Sequence, residues 1–199
     1  YTIGTGCAAT VTVTVNPPPG PIIGAGALCV GSVIPLFGPG GGTWSSGNPG
    51  IATVSSLGVV TGVGPGIATI YYTLPSGCSS TATVTVNAIP SPISGPSGVC
   101  VGLTITETDP TFGGTWSSSN PLVATITSMG VITGISPGTT TISYTGSGGC
   151  AATKIVTVNS SPGPITGPTH VCIGSSITLI DGGGGVWIED PPFAPIATI

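Results

Sequence analysis

The stretch GGTWSSSNPLVATITSMGVITGISPGTTTISY, Gly113 to Tyr144, is spelled a second time, almost letter for letter, as GGTWSSGNPGIATVSSLGVVTGVGPGIATIYY, Gly41 to Tyr72. Both copies set Val, Ile and Thr at alternating positions between turns rich in Gly and Pro, the period-two signature of half-buried strands, and neither carries a helical period. Three further markers keep the same step. Asn16, Asn87 and Asn159 each close a Thr/Val run at spacings of 71 and 72 residues, Trp44, Trp116 and Trp187 follow at 72 and 71, and Cys29, Cys100 and Cys172 at 71 and 72. A repeat of about 72 residues therefore organises the chain.

Strands within one period read as PISG (92–95), LTITET (103–108), GTWSSS (114–119), VATIT (123–127), GVITGI (130–135), TTTISYT (139–145) and ATKIVTVN (152–159). Seven short strands separated by turn signals predict an all-β fold, a tandem series of antiparallel β-sandwiches of about 72 residues each. The phase of the repeat divides the chain into residues 1–16, the last strands of a partial repeat; 17–87 and 88–159, two complete repeats; and 160–199, the first half of another. With no Met at its start, the sequence reads as a mature product or a part of something longer. Either the chain samples a longer array, or its end fragments complete one another between molecules by strand donation. The fragments hold no counterpart of Ser128–Ser143, which favours the longer array.

Composition narrows the function. Lys154 is the one cationic side chain, and charged residues make up 3% of the chain where ordinary domains carry roughly a quarter. Binding nucleic acid requires a basic footprint to neutralise phosphates, so that class is excluded. The 35 Gly and 21 Pro do not signal disorder, because apolar residues reach 39% and alternate in runs such as ATVTVTVN (9–16). No apolar run is long enough to span a membrane, and no secretory leader pattern is present.

Reactive groups form no constellation. His170 is the sole imidazole, and the acidic pairs Glu107 with Asp109 and Glu189 with Asp190 have no counterpart in the first repeat. They read as solvated loop residues rather than a glycosidase pair or a calcium site. Pro65–Gly66, Pro137–Gly138 and Asp181–Gly185 read as turn chemistry, since a phosphate loop needs a helix behind its glycines. No catalytic, cofactor-binding or metal-ligating residue is assigned, and no cofactor is expected. Trp44, Trp116 and Trp187 read as core anchors, because one indole fills a large share of so small a core; stacking on a sugar is the alternative.

TWSSSNP with VAT, GVITGISPGTTTISYT and the closing TVTVN resemble bacterial Ig-like domains of group 2, the modules of intimin- and invasin-like surface proteins. VCVG before the second strand and GC before the last are similar to tandem Ig-like arrays of large secreted Bacteroidetes proteins. The resemblance covers the whole chain. It implies an extracellular, cell-surface or fibre role and no particular ligand. Gly47 in place of the Ser at 119, and the loss of the Ser run from 186 to 199, mark departures from the pattern.

Six phase-locked cysteines without C-x-x-C spacing argue for disulfides in an oxidising compartment. Cys29 with Cys78 and Cys100 with Cys150 would staple within repeats and leave Cys7 and Cys172 for other partners. Cys7 with Cys29, Cys78 with Cys100 and Cys150 with Cys172 would use all six. In an Ig-like sandwich, however, the turn near Cys100 and the hairpin of Cys150 lie at opposite ends, about 20 Å apart, beyond the roughly 7 Å Cα limit of a disulfide. That places a bond from Cys29 to Cys150, with equivalents one period on in either direction, ahead of the others.

The joints NPPPGP (16–21), NAIPSP (87–92) and NSSPGP (159–164) predict semi-rigid spacers and a rod. Abundant Ser and Thr, and the Asn159 sequon, suggest a glycan coat replacing charge as the solubilising layer. The expected function is non-enzymatic: a structural module of a bacterial extracellular filament or cell-surface stalk, self-associating through neighbouring repeats or exposed strand edges. The second reading is an adhesin or carbohydrate-binding segment presenting aromatics such as Tyr71 or Phe193. A third, an accessory domain of a secreted hydrolase, needs an enzyme outside these residues.

Overall fold

The structure, a computed structural model, describes residues 1, 4–6, 8–183 and 185–187. The described residues form two sets of seven strands. The first holds β1 (Ala27–Cys29), β2 (Val33–Pro35), β3 (Thr43–Ser46), β4 (Ala52–Val54), β5 (Val59–Gly62), β6 (Gly66–Thr73) and β7 (Ser79–Asn87). The second holds β8 (Gly98–Cys100), β9 (Thr104–Thr106), β10 (Thr115–Ser118), β11 (Ala124–Ile126), β12 (Val131–Gly134), β13 (Gly138–Thr145) and β14 (Ala151–Asn159). Each set makes a four-stranded and a three-stranded sheet, in the orders β1-β7-β6-β3 and β2-β5-β4, then β8-β14-β13-β10 and β9-β12-β11. The repeated sequence thus folds as the repeated sandwich its alternation predicts.

The chain packs as two compact units. One comprises Tyr1–Ile93 with Asp109–Trp116 and Ser143–Thr153; the other comprises Ser94–Thr108, Ser117–Ile142 and the chain from Lys154 onward. In the first unit, period-two alternation sends Ala68, Ile70 and Tyr72 of β6 inward while Ile67 and Tyr71 face out. Leu28, Leu36, Val60, Ile70, Val84 and Val86 form the core, each aliphatic side chain contributing about 1.5–3 kcal/mol by leaving water. The second unit buries Val99, Ala124, Ile132, Ile142, Val156 and Val158.

Two features depart from the strand reading. PISG is not a strand: among its residues only Ser94 pairs, in a single bridge with Thr108, and the first strand lies later, at Gly98–Cys100. Pro92 and Pro96 lack the N–H groups a longer ladder needs. Ile23 with Phe37 and Thr166 with Ile180 form the same isolated bridge one repeat away on each side. Each sandwich also contains one parallel pair, β1 with β7 (Leu28 opposite Val86) and β8 with β14 (Val99 opposite Val158). The short turn after β1 carries the chain into the other sheet, leaving β1 beside the last strand and running the same way.

That corner requires a glycine. The Gly62 N–H donates to Ser32 O and its carbonyl accepts from Gly31 N, and a Cβ on Gly62 would stand 2.7 Å from Cys29 O. Gly134 repeats the arrangement against Cys100 O at the same 2.7 Å. The G that closes GVVTG and GVITG in both copies is therefore a close-approach position.

Glu107 overturns the solvated-loop reading. It is 1% exposed, and both carboxylate oxygens accept from Lys154 Nζ, at 3.0 and 2.8 Å. The ammonium also donates to the Gly95 and Pro96 carbonyls. Glu107 occupies the place of buried Leu36 in the first repeat, and Lys154 the place of half-buried Ala82, so two apolar positions of one copy hold an ion pair in the other. Asp109 likewise turns inward. Its Oδ1 accepts from Thr111 N at 2.7 Å, and its buried Oδ2 has no partner.

Removing one member of such a pair strands a buried charge. Lys154→Ala is expected to lower stability in a urea titration by about 3–5 kcal/mol, whereas Glu107→Leu with Lys154→Ala, which restores the first repeat's residues at both positions, recovers most of it. Equal losses in the single and double variants would contradict this account.

Candidate functional site

No group of three or more His, Cys, Asp or Glu side chains suited to a metal occurs among the described residues, and no helix there is long and apolar enough to cross a membrane. The distinctive chemistry lies instead at the end of β7, within the first unit. Asn87 stands opposite Cys29 in the parallel pair, and its carbonyl accepts from Val30 N at 3.0 Å. Cys150, 2% exposed, lies on the hairpin before β14 with its Sγ 3.8 Å from the same carbonyl. Cys29 and Cys150 are joined by a disulfide, with a Cα separation of 5.7 Å, across 121 residues of sequence.

Side chains around the bond lock the hairpin in place. Asn87 Nδ2 donates to Gly148 O at 3.0 Å, and a Cβ on Gly148 would stand 2.6 Å from the Asn87 side chain. Gly146 N donates to Cys150 O at 2.9 Å, and Gly149 N to Gly146 O at 2.9 Å, closing the turn. Pro90 is buried and lies 3.5 Å from where a Gly146 Cβ would sit. The joint proline thus packs within the first unit. Pro19, one repeat earlier, is also buried, and its carbonyl accepts from Ser80 Oγ at 2.8 Å.

The other singled-out residues divide as follows. Cys78 and Cys100 are half-buried free thiols, and Cys172 is an exposed one; Cys7 lies outside the described residues, as do Glu189, Asp190 and Phe193. Trp44 is half-buried against the first core and tilted over Tyr72 at 4.7 Å between ring centroids, while Trp116 meets Tyr144 at 4.7 Å. Trp187 is 43% exposed. Asn159 is exposed at the end of β14, and His170 is exposed. Tyr71 is 37% exposed on β6.

Sequence reasoning missed the tyrosines. Tyr72 OH accepts from Gly42 N at 2.7 Å, and Tyr144 OH accepts from Gly114 N at 3.0 Å while donating to Thr111 O. The signal was present, since GGTW and a later Tyr recur in both copies, but the pairing depends on the β3–β6 register that sets Trp44 opposite Tyr72.

Paired β-sheets with a parallel first-to-last strand, built twice over, define an Ig-like β-sandwich protein. The model of the bacterial Ig-like domain (group 2) matches residues 39–87 and 103–158, and the chain belongs to that family. Among solved structures, the chain is similar to a surface-layer protein SbsC fragment, domains 1–6, at 23% identity and a TM-score of 0.28, covering 69% of this chain and 25% of that one. An intimin mutant of EHEC O157:H7 aligns at 24% identity and 0.29, covering 35% and 39%. A C-terminal 282-residue intimin fragment, solved with the intimin-binding domain of its translocated receptor, aligns at 18% identity and 0.43, covering 76% and 65%. The chain therefore spans about a quarter of the surface-layer fragment and less than two thirds of either intimin chain. No curated protein sequence matches it.

In the chain-entropy account, closing a loop of this length restricts the unfolded state by about 5 kcal/mol. Thermal unfolding of the oxidised chain is expected to shift to markedly lower temperature on adding reductant. A Cys29→Ala, Cys150→Ala variant should unfold at that lower temperature whether or not reductant is present; a reductant effect of unchanged size in the variant would assign it to other thiols.

Proposed function

We propose that the chain is a structural segment of a bacterial extracellular filament or cell-surface stalk, with residues 17–87 and 88–159 as successive Ig-like modules and no enzymatic role. The observation that carries this reading is the cystine at the joint. A bond across 121 residues is longer than one repeat, so it ties the first β-strand of one repeat to the last hairpin of the next. Under tension the parallel pair of β1 with β7 is loaded in shear, and the cystine limits how far the chain can pay out. Packed prolines keep the joint short.

Two finer elements belong to this proposal. Val11, Val13 and Val15 are 85%, 77% and 90% exposed in an alternating run that pairs with no sheet among the described residues. Such a run is suited to adding to a sheet edge of another copy. Ser and Thr hydroxyls, with Asn159, are the acceptors for a glycan coat that replaces the missing surface charge. Family membership and the likeness to surface-layer and intimin structures support an extracellular or surface location. An adhesin segment is the second reading, favoured by Tyr71 lying exposed beside Gly47, where a Cβ would meet its ring at 3.0 Å.

Negative-stain microscopy of the native material is expected to reveal thin fibres or stalks, and its intact mass to exceed the peptide mass. Globular particles that bind glycans on an array, with binding lost in Tyr71→Ala, would replace the structural reading with the adhesive one.

A further inference from the structure

We propose that Cys78 and Cys100 are the two open ends of the cystine pattern closed by Cys29 and Cys150: each bonds a cysteine of another copy of this module, Cys78 on the preceding side and Cys100 on the following side. The inference rests on the reading of the chain as an array of modules, and it names the partner and the bonding atoms.

The four cysteines have equivalent surroundings in pairs. Cys100 repeats Cys29. It stands opposite Asn159 as Cys29 stands opposite Asn87. Val101 N donates to Asn159 O at 3.0 Å, as Val30 N does to Asn87 O. A Cβ on Gly134 would meet Cys100 O at the 2.7 Å found between Gly62 and Cys29 O. Cys78 repeats Cys150. Its Sγ lies 3.6 Å from Asn16 O, where that of Cys150 lies 3.8 Å from Asn87 O. The two hairpins close with the same bonds: Leu74 N to Cys78 O and Gly77 N to Leu74 O, both 2.9 Å, match Gly146 N to Cys150 O and Gly149 N to Gly146 O. Gly77 and Gly149 carry the same left-handed turn, at φ 84° and 79°.

Two thiols in the settings of a bonded pair, yet unbonded, differ from that pair in one respect. Stepping 121 residues back from Cys78 or on from Cys100 leads outside the 199 residues. Their partners are thus a Cys29-type cysteine before Cys78 and a Cys150-type cysteine after Cys100, carried on the same polypeptide or on a second chain. Their half-buried state fits a position that a neighbouring module completes.

The bond forms by thiol–disulfide exchange with a disulfide oxidant of the glutathione or oxidoreductase class. One cysteine thiolate attacks the oxidant to give a mixed disulfide and release one thiol. The partner thiolate then attacks the mixed disulfide and releases the second. Two cysteine thiols are oxidised to one S–S bond, and the two electrons and two protons leave on the two reduced thiols of the oxidant.

Native material is alkylated in denaturant before any reduction, digested with pepsin at low pH to suppress exchange, and mapped by mass spectrometry. Cys78 is expected in a linked peptide with a Cys29-type sequence, Cys100 in one with a Cys150-type sequence, and neither carrying the alkyl label. Recovery of either as a labelled thiol, as a small-thiol adduct, or linked to the other within one chain overturns the proposal. A non-reducing gel then locates the partner: a ladder that collapses on reduction places it on a second chain, and an unchanged mobility with the same linked peptides places it on the same polypeptide. Fibres in the microscope with labelled Cys78 and Cys100 would sink this inference alone, while linked peptides without fibres would sink the filament reading alone.

Discussion

Everything at the joint follows from how closely β1 can approach β5. The carbonyl of Cys29 sits where a side chain on Gly62 would be, and only a bare backbone allows the strand to cross from one sheet to the other there. That crossing lays β1 parallel to the end of β7, seals Leu28 and Val86 into the core, and brings Cys29 level with Asn87. The disulfide, the Asn87 bond to Gly148 and the packed proline are arranged around that one level. An alanine at Gly62 would press on the Cys29 carbonyl at 2.7 Å and on the buried Val86 Cγ1 at 2.9 Å, so relief would have to come from the crossing itself.

The repeat made much of this fold legible. Alternating Val, Ile and Thr between turn signals placed six of the seven strands of the period 88–159, because the alternation in runs such as LTITET and VATIT extends past the residues that pair. The first strand was misplaced at PISG because Gly98–Cys100, set among the glycines of SGVCVG, lacks the Thr/Val and Thr/Ile alternation of the other runs. Its parallel direction depends on the crossing between sheets, which no local pattern states. Glu107 was misread for a different reason. As a lone acid followed by Asp109 it looks solvated, and its partner Lys154 stands 47 residues away. Only the comparison of Leu36 with Glu107 and of Ala82 with Lys154 reveals that two positions changed together.

Charge is otherwise almost absent, so polar groups inside the sandwiches must be satisfied by hydroxyls. Thr140, 4% exposed, stands where the first repeat has Ala68. Its Oγ1 meets Ser118 Oγ at 2.9 Å and Ser119 Oγ at 3.2 Å and accepts from Asn120 N at 3.0 Å. In the first repeat Ser46 Oγ turns instead to Ala52 O at 2.6 Å and accepts from Asn48 N. The same TWSS strand is thus fixed by two different hydrogen-bond patterns. Buried polar groups of this kind are tolerated because each has a partner, which lets the copies diverge in side chains while the backbone stays the same.

What the two copies do not vary is informative about their work. The glycine at the crossing, the asparagine closing the last strand, the cysteines and the Trp–Tyr pair recur at fixed phase, whereas core residues exchange one apolar or hydroxyl group for another and Leu36 gives way to the ion-paired Glu107. A binding pocket concentrates its invariant residues around a cavity. Here the glycine, the asparagine and the cysteines gather at the crossing, the strand end and the hairpin, around the cystine, while the Trp–Tyr pair sits apart in the β3–β6 ladder. The cystine spans 121 residues, more than one repeat, and so holds the first strand of one copy to the last hairpin of the next.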